Sequence, residues 1–331
     1  MMKNMDYSYF KKTRYNHVED LAGLPEYDCL ISAYVNVERV KEPSGKIPCK
    51  EKWWVLEDGV SHDWFIGDAK TFHITEESDG GITKELAEKG YSRLCIDITG
   101  FVIPQLLILL RFLQIRGFCS FDVIYTEPNQ YKEGEETQFT ETPTYVKQIL
   151  GYSGVHISDM SNDLLIVAAG YDHSRIIEVA TEKKSARKVL LFGFPPCSPG
   201  MFQENILRAY QAEPAVGMDC FKNMDLNIFA PANDPFSTAQ ALKDYIDKAL
   251  RSKAPFTNLY LSPLSSKPQA LAMALYYIWE DGWKKEWSII YPFCHKYIHD
   301  TTSGISRIWR YEVMLPGRSG DGSLIRERKE G

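Results

Sequence analysis

Short apolar, β-branched runs alternate with helical segments along most of the chain, and this alternation constrains the fold more than any other feature. CLISAYV, KWWVLE, RLCIDIT, DVIYTE, LLIVAAG, KVLLFGF, LNIFAP, NLYLSP and SIIYP read as strands. Helical periodicity follows several of them, over Val102–Arg116, His173–Lys183, Met201–Ala212, Ser237–Ser252 and Lys267–Trp283. Strands that are apolar throughout must be covered on both faces, so the pattern predicts an α/β, Rossmann-like fold with one or two mostly parallel sheets between helices. A length of 331 residues with 44% apolar side chains is enough for a sizeable core.

The polar, acidic stretch Asn129 to Val155 is long for a connection inside one α/β unit. It suggests an N-terminal Rossmann-like half over residues 1–150 and a C-terminal one over 151–316. WRYEVML reads as a last strand, and the Gly-rich, charged residues 317–331 as a polar tail.

A net charge of −6 argues against duplex nucleic acid as a partner. Seven cysteines without a Cys-x-x-Cys pair suit free thiols in a reducing cytoplasm. The opening residues carry no apolar signal core, and FVIPQLLILLRFL is broken by Pro104 and Arg111, so neither secretion nor membrane insertion is expected. His295 and His299 beside Cys294 have metal-pair spacing without evident further ligands, and no metal is predicted there. The P-loop, the dinucleotide fingerprint, the G-x-S-x-G elbow and H-E-x-x-H are all missing from the sequence.

Ligands of open α/β sheets bind beyond the carboxyl ends of the strands, so the residues just after each run are the candidates. These are Asp97, Thr99 and Gly100 after RLCIDIT, then Glu127 and Tyr131 around DVIYTE, then Tyr171 and Asp172 after LLIVAAG. Asn233 and Asp234 follow LNIFAP, where an Asx-turn or a helix cap explains them equally well. Asp172 also suits a helix N-cap. NLYLSPLSSKPQALAMALYY is the richest: Ser265, Ser266 and Lys267 stand at the start of a helix whose dipole favours an anion, and Pro268 begins that helix without wasting an N–H.

A strand ending in a small-residue turn with a lysine, then an Ala/Leu-rich helix, resembles the ligand loop of CARF-type Rossmann domains. IDITGF with its apolar helix is similar to the first strand-loop-helix unit of those domains. The resemblance covers about a quarter of the chain, and Leu264-Ser265-Ser266-Lys267 replaces the family's Gly-Gly-Thr-Lys form. It implies a cytoplasmic sensor of a prokaryotic defence-type system, binding a small nucleotide or cyclic oligonucleotide across the two-fold axis of a homodimer. In such a site Lys267, Ser265 and Ser266 would meet phosphate, Asp97, Thr99 and Asn233 would orient sugar or base, and Tyr131 or Tyr171 would stack. An enzyme using Asp97, Glu127 or Asp172 as acid-base or metal-binding groups is the alternative, and Mg²⁺ is expected only there; otherwise no cofactor is predicted. A third possibility is a non-catalytic subunit that meets a protein effector or assembly partner through aromatic surface.

Overall fold

A computed structural model of the protein describes residues 5–57, 69–131, 145–294 and 302–317. The His295/His299 pair and residues 318–331 of the polar tail lie outside them. In chain order the first part comprises β1 (Lys12–Tyr15), β2 (Tyr27–Ala33), α1 (Glu38–Lys46), β3 (Cys49–Leu56), β4 (Lys70–His73), α2 (Ile82–Glu88), β5 (Leu94–Asp97), α3 (Ile103–Arg116) and β6 (Ser120–Tyr131). After β7 (Tyr145–Ser153) come β8 (Leu164–Ala168), α4 (His173–Glu182), β9 (Arg187–Gly193), α5 (Met201–Tyr210), α6 (Glu213–Val216), α7 (Asp219–Lys222) and β10 (Ile228–Ala230). The chain then forms α8 (Pro235–Leu250), β11 (Leu259–Pro263), α9 (Lys267–Trp279), β12 (Trp287–Phe293) and β13 (Thr302–Met314).

These strands form two sheets, ordered β1-β13-β6-β5-β2-β3-β4 and β10-β9-β8-β11-β12-β7. Strands β4-β3-β2-β5-β6 are mutually parallel, and so are β10-β9-β8-β11-β12. In each set the first strand in sequence lies in the middle, the next two build outward on one side and the last two on the other. This is the doubly wound, Rossmann-like order, laid down twice. The strand order reverses between β2 and β5 in one sheet and between β8 and β11 in the other.

Each parallel set is flanked by an antiparallel strand that belongs, by sequence, to the other half. β7 follows β6 in the chain but pairs with β12, while β13 follows β12 but pairs with β6. The sheets therefore do not divide at residue 150, which falls within β7. α3 and α9 pack against each other between the sheets, and one continuous apolar core runs through both. α9 is buried along nearly its whole length, as its all-round apolar sequence requires. Arg111 of α3, almost fully buried, stacks on Trp283 at 4.0 Å and donates from Nε to the Gly151 carbonyl at 2.9 Å, tying α3 to β7. A second, smaller cluster of Leu21, Leu24, Leu30, Cys95 and Ile124 covers the opposite face of the first sheet. Among the described residues no helix is long and apolar enough to cross a membrane.

Candidate functional site

Both sheets point their carboxyl ends at one cavity. Its wall takes Val35 and Arg39 from beyond β2, Thr99 and Gly100 from beyond β5, Tyr171 and Arg175 from beyond β8, and Ser265 to Lys267 from beyond β11. The cavity, partly open to solvent, has a volume of about 210 Å³. That is below the ~300–1,000 Å³ of common small-molecule sites, so a compact ligand, or the compact end of a larger one, matches it.

Two glycines let the loops at the strand-order reversals come this close. A Cβ on Gly100 would lie 2.6 Å from the Ala33 carbonyl oxygen, and one on Gly170 would lie 1.9 Å from that of Leu264. Only a residue without a side chain fits either place.

Three cations meet at the cavity, each in the first turn of a helix. Arg39 is the second residue of α1, Arg175 the third of α4 and Lys267 the first of α9. The helix dipole disfavours positive charge at an N-terminus, and like charges repel, so the arrangement favours an anion in the cavity. Burial, reinforced by the charge of Arg39 and then of Arg175, brings the Lys267 ammonium down to about 8, although Asp97 acts in the other direction. Both guanidiniums are fixed. Arg39 donates from Nη1 to the Thr126 carbonyl at 2.8 Å and from Nε to Thr302 Oγ1 at 3.1 Å. Arg175 donates from Nη2 to the Pro292 carbonyl at 3.2 Å and lies over the Tyr291 ring at 4.4 Å.

The sequence candidates divide into two groups. Thr99, Gly100, Tyr171, Asp172, Ser265, Ser266 and Lys267 reach the cavity wall. Ser266 caps α9 by accepting the Gln269 N–H, and Asp172 caps α4 by accepting from Ser174 N at 3.1 Å and Ser174 Oγ at 2.6 Å. Asp97, Glu127, Asn233 and Asp234 are not on that wall. Asp97 is fully buried behind the Thr99 turn, accepting from Thr99 N at 3.0 Å and Ser32 Oγ at 3.2 Å, and burial pushes its carboxyl up to about 6. Glu127 pairs with Arg307 at 2.7 Å and accepts from Asn233 Nδ2 and Trp309 Nε1, joining β6 and β13 to the loop after β10. Asp234 caps α8 and pairs with Lys12. Tyr131 ends β6, and its side chain lies outside the described residues.

Arg39, Arg175 and Asn205 are not among the candidates that the sequence offers. A cation in the first turn of a helix, against the dipole, was the available signal. Asn205 is 8% exposed, lines the cavity and donates from Nδ2 to the Ala169 carbonyl at 2.8 Å, while its Oδ1 has no partner among the described residues.

A second polar cluster lies at the opposite, amino ends of the second sheet. His156 Nε2 is 2.5 Å from Ser288 Oγ, its Nδ1 is 3.1 Å from Asn258 Oδ1, and Asn258 Nδ2 donates to Asp163 at 2.8 Å. The order of groups resembles a catalytic triad, but the Ser288 hydroxyl is fully buried and already accepts from Gln148 Nε2 and Gly154 N. The cluster is a brace for residues 154–163. Asn258→Ala is expected to cost about 2 kcal/mol, because it strands the buried donors and acceptors around it. Urea unfolding checks the loss, and ligand affinity at the distant cavity should not change.

No protein-family model matches the chain, and no curated protein matches it. Among solved structures it is similar to a precorrin-6A reductase, with 9% identity and a TM-score of 0.20 over 76% of this chain and 85% of that one. A likeness that slight bears on neither mechanism nor ligand.

Proposed function

We propose that the protein is a receptor for a compact, phosphate-bearing, nucleotide-like ligand held between the carboxyl edges of its two sheets. The convergence of Arg39, Arg175 and Lys267 at three helix N-termini carries this reading. The unsatisfied Asn205 Oδ1 calls for a donor, which a sugar hydroxyl or a base amino group supplies. The resemblance to CARF-type domains adds the proposal that ligand binding is read out as a signal in a defence-type system. Binding is favoured over catalysis because the three carboxylates suggested for acid-base work are each engaged in local structure: Asp97 under a turn, Glu127 with Arg307 and Asp172 in a cap.

A thermal-shift screen against mono-, di- and cyclic oligonucleotides, with and without Mg²⁺, tests the proposal, since a ligand that binds only the folded state raises its melting temperature. Mass analysis of the recovered compound separates a receptor, which returns it intact, from an enzyme. Lys267→Ala is expected to weaken binding by about 1–3 kcal/mol, roughly five- to 150-fold, with little change in melting temperature. Binding to wild type should also weaken as pH rises through about 8, where Lys267 loses its proton. Phosphate esters are already fully ionised there, so this fall should vanish in Lys267→Ala. Unaltered affinity in a folded Lys267→Ala variant would sink the reading.

A further inference from the structure

We infer that the ligand carries two separate anionic groups, one met by Arg39 from the first sheet and one by Arg175 from the second, as in a compact bisphosphate. The inference rests on the anion-binding reading above and narrows its ligand class.

Register carries the argument. In the first sheet Ile31 pairs with Trp53 and with Ile96, and Ile96 pairs with Val123. In the second, Ile166 pairs with Val189 and with Leu261, and Leu261 pairs with Ile289. These are the same row in two copies of one layout. Three residues beyond Val123 is Thr126, and three beyond Ile289 is Pro292. The carbonyls at these matching places are the ones that receive the Arg39 and Arg175 guanidiniums. Each arginine springs from the first turn of the helix after the central strand, eight residues beyond Ile31 and nine beyond Ile166. Two halves with little sequence in common thus place a cation at one equivalent position each, facing a shared cavity.

The antiparallel exchange of β7 and β13 locks the halves face to face, so both positions are presented by a single chain. The two-chain site implied by the CARF resemblance is not needed to bring two carboxyl edges together. Lys267 breaks the equivalence, because the same row places Val102 at its counterpart in the first half. The third cation therefore lies in the second half's share of the cavity, which suits a ligand whose two ends differ.

Titration calorimetry at low ionic strength, with inorganic phosphate and with alkane-α,ω-bisphosphates of increasing length, tests the inference. Wild type should bind two phosphates per chain but one bisphosphate, with the best-fitting bisphosphate about a hundredfold tighter than the matching monophosphate, the scale of an intramolecular second contact. Arg39→Gln and Arg175→Gln should each reduce the stoichiometry to one phosphate and remove the bisphosphate advantage. Arg39→Lys and Arg175→Lys keep the charge, and so should keep the stoichiometry if a glutamine variant fails to fold. One phosphate per wild-type chain, or monophosphates as tight as every bisphosphate, would overturn the two-anion inference and leave the anion site standing. No binding of any phosphate would overturn both.

Discussion

Gly170→Ala is expected to destabilise the protein by about 3 kcal/mol, the upper end of what overpacking costs, and to lower its melting temperature by roughly 4 °C. The added Cβ would fall 1.9 Å from the Leu264 carbonyl oxygen and 2.9 Å from its carbon. Both atoms are backbone, so no side chain can swing away. The loop after β8 and the loop after β11 must part, and the second carries Ser265, Ser266 and Lys267. Phosphate affinity should therefore fall together with stability. Gly100→Ala, where the contact with the Ala33 carbonyl is 2.6 Å, should act in the same direction with a smaller effect. Thermal denaturation of the two variants checks the order, and an unchanged melting temperature for Gly170→Ala would show that the loops are not in contact as described.

Asp97→Asn should stabilise the protein at neutral pH, by up to roughly 3 kcal/mol. Desolvation raises the Asp97 carboxyl from 3.8 to about 6, more than the bonds from Thr99 and Ser32 lower it. The folded state then holds its proton more tightly than the unfolded state does. The associated stability is complete below pH 3.8 and is lost as pH rises through about 6, so at pH 7 the buried charge is a full penalty. Asparagine keeps the shape. Its Oδ1 can accept the Thr99 N–H and its amide can donate to Ser32, while no charge remains to bury. The gain over wild type should shrink to about 0.5 kcal/mol as pH is lowered from 7 to 4, which urea unfolding across that range measures. Losing the one carboxylate that favours the Lys267 ammonium should leave anion binding no more than slightly altered. A large loss of stability at neutral pH would show that the carboxylate is needed in its ionised form.

Of the site, the lysine loop was legible because all its signals are local: an apolar strand, hydroxyl residues, a cation and a proline occupy ten consecutive positions, Leu259 to Pro268. Arg39 was hidden because its helix was hidden. ERVKEPSGK carries Pro43 and Gly45, which argue against a helix, yet α1 forms there with Val40 and Pro43 buried. The strand β7 was concealed in a polar stretch, since YVKQILGYS buries little on one side and is held by its ladder to β12. Asp97, Glu127 and Asn233 were placed at strand ends as expected but turned away from the cavity, toward Thr99, Arg307 and each other.

The sequence by itself determined the α/β class, most of the strands and the helix starts at His173, Met201 and Lys267, because periodicity, caps and turn residues act over a few positions. Only the tertiary structure decided that the last strand of each half crosses to the other, and that Arg39, Arg175 and Lys267 share one cavity. Those outcomes depend on which strand ends meet across the core, on pairings between residues more than a hundred positions apart such as Ser303 with Gln130, and no local pattern encodes them.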